Sequence, residues 1–153
     1  MIERIVSGGQ TGVDRAALEA AFDLGIPCGG WCPRGRKAED GVIPARYPLR
    51  EMTSPDYRDR TQMNVLETDG TLILCDGTLT GGTALTVQLA EQARKPYLVV
   101  NLGTPPSLGK VRAWIQDQPI RSLNIAGPRE SQAPTIQRQA YRWLVALLGS
   151  LDE

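Results

Sequence analysis

Three glycine-rich turns contain the residue types that bind anions. They are SGGQTG at residues 7–12, DGTLTGGT at 76–83 and GPRES at 127–131. Glycines let a ligand approach the backbone closely, and a helix that follows such a turn presents unpaired N–H groups and about half a positive charge at its start. Phosphates and other oxyanions bind to this arrangement. The sequence therefore predicts a site for a phosphorylated or oxyanionic small molecule.

The candidate binding residues are the glycines of these turns and the polar side chains beside them. They are Gly8, Gly9, Gln10, Thr11, Gly12 and Asp14 in the first turn, Gly77, Thr78, Gly81, Gly82 and Thr83 in the second, and Gly127, Pro128 and Arg129 in the third. Threonine hydroxyls add donors, and the arginine is a bidentate donor to phosphate or carboxylate. A tight strand-to-helix connection would explain one such turn, but three turns at one sheet edge favour a shared pocket.

The chain contains no histidine, which excludes Ser-His and Cys-His nucleophilic catalysis and histidine-ligated zinc. Any acid–base chemistry would therefore use carboxylates, and Asp14 and Glu130 are the candidates. Each has a structural alternative. Asp14 would stand in the first turn of a helix, where the macrodipole favours a carboxylate whatever the function, and Glu130 could simply orient Arg129.

Two better-known nucleotide-binding motifs are missing from the first turn. SGGQTGVD is neither G-x-G-x-x-G nor a P-loop, and it has no lysine where ATP hydrolysis needs one. No acidic residue ends a second strand about twenty residues further on to hold a ribose. The sequence therefore does not favour an NAD-type dehydrogenase or a P-loop ATPase.

Composition predicts one cytoplasmic domain over residues 1–153. Seventeen Lys and Arg balance seventeen Asp and Glu, so the basic surface expected of a nucleic-acid-binding protein is missing, and no nucleic-acid partner is predicted. No segment has the length and apolarity of a membrane span or of a signal peptide.

The three cysteines lack the spacing of zinc or redox motifs and are interpreted as reduced, so no metal site is predicted.

The spacing of apolar residues predicts alternating strands and helices. Strands are predicted at residues 2–6, 26–30, 70–75, 96–101 and 120–126, and helices at 13–24, 56–67, 83–94, 108–118 and 135–148. Residues 31–55 are predicted as a long irregular loop. Its basic run Arg34, Arg36 and Lys37 is either a solvated surface or a lid over the pocket.

This order predicts an α/β fold, a three-layer Rossmann-like sandwich with a sheet of about five mainly parallel strands and helices on both faces. In such folds ligands bind at the carboxyl ends of the strands, near the point where the strand order reverses. All three glycine-rich turns belong to that edge.

Five segments together resemble the molybdenum-cofactor carrier family. They are SGGQTGVDRAAL, GWCPRGRKAEDGVIP, RTQMNVLETDGTLIL, LTGGTALT and LNIAGPRES, and they extend over nearly the whole chain. The family is similar to the wider Rossmann-like group that includes Smf and lysine-decarboxylase-like (LOG) proteins. The resemblance implies a parallel sheet, a homo-oligomer such as a dimer or tetramer, and a ligand that is molybdopterin-type cofactor or a nucleotide-like phosphorylated compound.

The second turn departs from the LOG enzymes. Their Gly-Gly-x-Gly-Thr turn is followed by a catalytic glutamate, whereas here Thr83 is followed by Ala-Leu-Thr-Val and no glutamate occurs before Glu91. A binding or carrier protein is therefore the first hypothesis. The alternatives are a nucleotide-processing enzyme of the phosphoribohydrolase or lysine-decarboxylase-like type, and a non-catalytic nucleotide sensor.

Overall fold

The computed structural model describes residues 1–79 and 81–151; Thr80 in the second turn, Asp152 and Glu153 lie outside the described residues. The strands are β1 (Arg4–Val6), β2 (Cys28–Gly29), β3 (Trp31–Cys32), β4 (Lys37–Ala38), β5 (Gly41–Val42), β6 (Arg50–Glu51), β7 (Gly70–Cys75), β8 (Tyr97–Asn101) and β9 (Ser122–Ala126). The helices are α1 (Val13–Leu24), α2 (Tyr57–Leu66), α3 (Gly81–Ala93), α4 (Leu108–Asp117) and α5 (Ile136–Gly149).

Five strands form one parallel sheet in the order β2-β1-β9-β7-β8. The predicted α/β class with a parallel sheet of five strands is confirmed. The connection from β1 to β2 runs toward one edge of the sheet and the connection from β7 to β8 runs toward the other. Because parallel crossovers are right-handed, α1 and α3 lie on opposite faces. The carboxyl end of β9, between β1 and β7, is the place where the topology predicts a ligand.

The larger core lies on the sheet face that α1, α4 and α5 cover. Leu72 and Leu74 of β7 contribute to it, together with Leu144 of α5 and Ile115 of α4. The buried face of α1 is rich in alanine (Ala16, Ala17, Ala20 and Ala21). These small side chains let α1 approach the sheet and α5 closely, which fixes the first turn against the third.

Residues 31–55, named the strap from here on, are more ordered than the predicted irregular loop. β3 pairs with β6 and β4 with β5, and Leu18, Cys32, Ala38, Ile43, Tyr47 and Leu49 form a small second core. The guanidinium of Arg36 donates to four strap carbonyls, those of Ile43, Pro44, Tyr47 and Leu49. These contacts are specific to one side chain and leave no periodic pattern in the sequence.

Candidate functional site

A pocket opens at the carboxyl ends of β1, β9 and β7, the edge that the sequence predicted. Four separate segments line it: Gly8, Gln10 and Asp14; Tyr57, Arg60, Thr61 and Asn64 of α2; Gly82, Thr83, Leu85 and Thr86 of α3; and Asn124, Ile125, Ala126, Gly127, Arg129 and Gln132. The first and third turns meet directly, since the amide of Val13 donates to the carbonyl of Pro128 at 3.3 Å. The pocket is therefore assembled from residues that are far apart in the chain.

Half of the predicted binding residues line this pocket. They are Gly8, Gln10, Asp14, Gly82, Thr83, Gly127 and Arg129. The other predicted residues, Gly9, Thr11, Gly12, Gly77, Thr78, Gly81 and Pro128, stand in the same turns but are not among the lining residues. Tyr57 and Arg60 line the pocket without having been singled out from the sequence.

Two of the glycines bring backbone segments together. Gly12 has a φ of 82°, and a Cβ there would clash with the carbonyl oxygen of Pro128. At Gly127 a Cβ would clash with the carbonyl oxygen of Leu74. Gly82 differs, since a Cβ there would meet no atom within 4 Å. Space beside Gly82 is thus available to a ligand at the start of α3.

Asp14 and Arg60 form a buried ion pair in the pocket. The Nη1 atom of Arg60 lies 3.2 Å from Oδ2 of Asp14, and the side chains are 12% and 4% exposed. Burial raises the pKa of the Asp14 carboxyl above its ordinary value, although Arg60 and the amide of Gln10 act in the opposite direction. Helix α1 supplies the carboxylate in its first turn, and α2 brings the guanidinium from across the pocket.

The amides of the first turn already have acceptors within the protein. The donor–acceptor pairs are Gly9 N to Ser7 Oγ, Gln10 N to Asp14 Oδ2, Thr11 N to Gln10 Oε1, and Gly12 N to Gln137 Oε1. The first amides of α3 point out of the helix start, as in any α-helix, and Gly82 and Thr83 at this start line the pocket. Because the amides of the first turn are already used, the start of α3 is the helix end of the pocket at which we place an anion.

Three cations surround the ring of Tyr57. Lys37 Nζ lies 4.7 Å from the ring centroid, and the guanidinium carbons of Arg129 and Arg60 lie at 5.4 and 5.6 Å. Over residues 1–79 and 81–151, the ion pairs include Arg60 but neither Lys37 nor Arg129. Asp14 is the acidic residue that lines the pocket, and Glu39 lies close enough for Arg129 to lower the pKa of its carboxyl. Three cations against these two carboxylates leave an excess of positive charge, which favours an anionic ligand.

Glu130, the second candidate acid or base, caps α5. Its carboxylate accepts from the amides of Thr135 at 3.2 Å and Gln137 at 3.0 Å. Glu130 is not among the pocket-lining residues. A carboxylate at a helix start satisfies amides that otherwise lack acceptors, so its position has a structural explanation.

Two acidic residues fasten the strap beside the pocket. Glu39 accepts from the hydroxyls of Thr11 and Ser131, and Asp40 forms a two-pronged pair with the buried Arg15. Of the basic run predicted as a possible lid, Arg36 is used inside the strap and Lys37 reaches Tyr57. Thr11 thus serves to hold the strap to the third turn, since it also accepts from the amide of Glu130 at 3.2 Å.

Metal-ligating side chains do not cluster in the parts of the chain that the structure describes: no three His, Cys, Asp or Glu residues there are placed to hold a metal ion. No helix in those parts is long and apolar enough to cross a membrane. The donors that line the pocket are guanidinium groups, hydroxyls and amides, which suit phosphate and heterocyclic groups.

Residues 5–148 match the model of the circularly permutated YpsA SLOG family. The chain belongs to this family. It is also similar to the crystal structure of a "Putative molybdenum carrier protein" from Syntrophus aciditrophicus SB, with 46% identity, a TM-score of 0.89, and coverage of 95% of this chain and 94% of that one. No curated protein matches the sequence.

These comparisons confirm the family resemblance and the Rossmann-like fold inferred from the sequence. The family match extends over all four segments of the pocket, from Gly8 to Gln132. Tyr57 and Arg60 of α2 lie within the matched residues. Both side chains reach the pocket because they are on the same face of the folded helix. The RTQMN segment that contributed to the resemblance begins at Arg60, which was the one available signal for this residue.

Proposed function

We propose that this protein binds a phosphorylated small molecule in the pocket and carries it without turnover. The observation that carries the proposal is the group of three cations around Tyr57, in a pocket that the start of α3 also lines. Asp14 neutralises part of this charge through Arg60, so a ligand of negative charge is needed to balance the rest.

The phosphate would lie at the start of α3. Gly82 leaves room there, the amides of the helix start point along the axis toward the ligand, and the Thr83 side chain lines the same pocket. Arg129 of the third turn lines the same pocket. A guanidinium can bind phosphate through two parallel hydrogen bonds, and the ion pairs of the described residues do not include Arg129.

Tyr57 supports a planar group next to the phosphate. A tyrosine ring offers a large apolar face at low cost in conformational entropy, and the flanking guanidinium groups can stack on a heterocycle. Both a pterin and a nucleobase fit this description. The solved relative is described by its name as a carrier of molybdenum, and this supports a molybdopterin-type cofactor as the cargo, held here through its organic part and its phosphate.

Native mass spectrometry of freshly purified protein, combined with elemental analysis for molybdenum and tungsten, tests the proposal. We expect a bound phosphorylated heterocycle in the native protein and its loss from Arg129→Ala, because a charge-assisted contact contributes about 1–3 kcal/mol. Arg142→Ala is the matched control, since Arg142 is exposed on α5. Equal ligand retention by the two variants would remove Arg129 from the site. Empty protein that also binds no added phosphorylated compound would contradict the proposed function.

One observation favours a nucleotide-processing enzyme as a second candidate. Asp14 is a carboxyl in the pocket whose pKa is raised by burial, and such groups often act as general acids or bases. Incubation with nucleoside monophosphates, followed by chromatography, would detect a released base. Enzyme activity that Asp14→Asn abolishes would favour this candidate over the carrier. Activity that depends on protonated Asp14 should fall as the pH rises through the raised pKa.

A further inference from the structure

Two buried donor nitrogens in the pocket walls have no acceptor. In the described part of the chain, Gln10 Nε2 and Arg60 Nε form no hydrogen bond. Gln10 is 5% exposed, and its amide orientation is fixed because Oε1 accepts from the amides of Thr11 at 3.0 Å and Glu39 at 2.9 Å. The unpartnered atom is therefore the nitrogen. Buried donors without acceptors are uncommon and costly, so a ligand atom that accepts from them would be favoured.

A carboxylate oxygen stands beside these donors. Oδ2 of Asp14 accepts from the amide of Gln10 at 3.3 Å and from Nη1 of Arg60 at 3.2 Å. Among the hydrogen bonds of residues 1–79 and 81–151, none uses Oδ1 of Asp14. Asp14, Gln10 and Arg60 all line the same pocket. Two donors and one acceptor thus belong to residues that contact one another, since Asp14 bonds to the backbone amide of Gln10 and to the side chain of Arg60.

We propose that this group recognises the 2-amino-4-oxopyrimidine edge, the ring edge that guanine and pterins share. The ring carbonyl would accept from Gln10 and Arg60, and the ring N–H with the 2-amino group would donate to Asp14. An adenine ring places an amino donor where this edge has its carbonyl, so donor would face donor. The proposal rests on the proposed function, because the phosphate bound at the start of α3 holds the ring in the pocket.

Titration calorimetry with matched probes tests the recognition. GMP and IMP differ by the 2-amino group alone, and we expect wild-type protein to bind GMP at least about tenfold more tightly than IMP, the effect of one well-placed hydrogen bond to a charged group. Equal affinity for GMP and IMP would overturn the proposal. A loss of affinity in 2′-deoxy-GMP as large as that in IMP would overturn it too, since the carboxylate would then hold the ribose.

A pterin monophosphate distinguishes the two sources of the edge. Tighter binding of 6-hydroxymethylpterin monophosphate than of GMP supports the recognition with a pterin ligand, and the reverse order supports it with a guanine nucleotide. If inorganic phosphate and IMP bind, but neither GMP nor the pterin monophosphate binds more tightly than IMP, the anion site is supported and the edge recognition is overturned. If no probe binds, inorganic phosphate included, both the proposed function and this inference fail.

Asp14→Asn isolates the acceptor. We expect the variant to bind GMP and IMP within about twofold of each other, because the amide retains one acceptor for the Gln10 N–H and presents a donor to the ligand. Asp117→Asn, at the exposed end of α4, makes the same chemical change away from the pocket and should keep the GMP preference. If Asp14→Asn keeps that preference, the assignment is wrong. If it does not fold, the wild-type probe series still decides.

Discussion

At the scale of single residues, the ion pair between Asp14 and Arg60 connects stability to binding. Both side chains are largely buried, and breaking such a pair costs about 3–5 kcal/mol because the remaining charge has lost its partner. Arg60→Met keeps most of the side-chain volume and removes the charge. We expect a loss of unfolding free energy of that size in urea denaturation at pH 7.

The pH dependence of this loss provides its control. Without Arg60 the pKa of Asp14 should rise further, because Arg60 is the main group that lowers it. A carboxyl whose pKa is higher in the folded than in the unfolded state stabilises the fold when it is protonated. This contribution is complete below the unfolded pKa of Asp14 and is lost as the pH rises through the folded pKa. The deficit of Arg60→Met should therefore shrink in acid. Arg60→Met combined with Asp14→Asn should recover stability at pH 7, and an equal deficit in both variants would contradict the pairing.

Gly82 provides a residue-scale test of the anion position. Because a Cβ at Gly82 meets no protein atom within 4 Å, Gly82→Val should fold with an unfolding free energy within about 1 kcal/mol of wild type. Its branched side chain would occupy the space at the start of α3. We expect GMP affinity in calorimetry to fall at least about tenfold. Undiminished affinity in a folded variant would move the phosphate away from α3.

At the scale of elements, the strap should open in acid. Hydrogen bonds from Ser131 and Thr11 lower the pKa of Glu39 below 4.5 despite the opposing effect of burial, and Arg15 lowers that of Asp40 below 3.8. A lowered pKa contributes stability above the unfolded value that is lost as the pH falls through the folded value. We expect hydrogen exchange in residues 37–40, corrected for intrinsic rates, to accelerate selectively as the pH falls below the ordinary carboxyl values of 4.5 and 3.8.

A double variant separates this effect from general acid unfolding. Glu39→Gln with Asp40→Asn removes both charges at pH 7, and trypsin should then cleave the strap at its basic residues faster than in wild type. Asp117→Asn is the control, because Asp117 ends α4 outside the strap. A double variant as resistant as wild type would show that the two carboxylates do not hold the strap.

The elements differ in how well the sequence predicts them. The bounds of α1 and β7 agree with the predicted ones, because glycines flank α1 and a continuous apolar run defines β7. β1 and β9 are shorter than predicted, since apolar side chains continue beyond the paired backbone. The sequence predicts the strap without its short strands because these strands have only two residues each, which is too short for a periodic pattern, and because β3 pairs with β6 nineteen positions further along the chain.

At the scale of the whole molecule, alternation of strands and helices was enough for the fold class but not for the strand order. β9 inserts between β1 and β7, and this depends on pairing between residues more than fifty positions apart. The same long-range assembly brings α2 to the pocket, so Arg60 and Tyr57 could not be predicted from the glycine-rich turns. The predicted homo-oligomer stays a prediction, and light scattering coupled to size exclusion measures it.

Ligand binding should stabilise the whole chain, because the pocket joins segments from residue 8 to residue 132. A ligand that binds only the folded state adds about 2.7 kcal/mol to the free energy of unfolding when its free concentration is about one hundred times its Kd. For a domain of about 150 residues each kcal/mol raises Tm by about 2–4 °C, so GMP at that ratio should raise Tm by roughly 5–11 °C. Scanning calorimetry measures the shift, and Arg129→Ala should show less of it at the same GMP concentration. Hydrogen exchange should slow in β7 and β9 as well as at the pocket, because amides of buried core strands exchange mainly through global unfolding. Slowing confined to the pocket would mean that the ligand stabilises only the local turns.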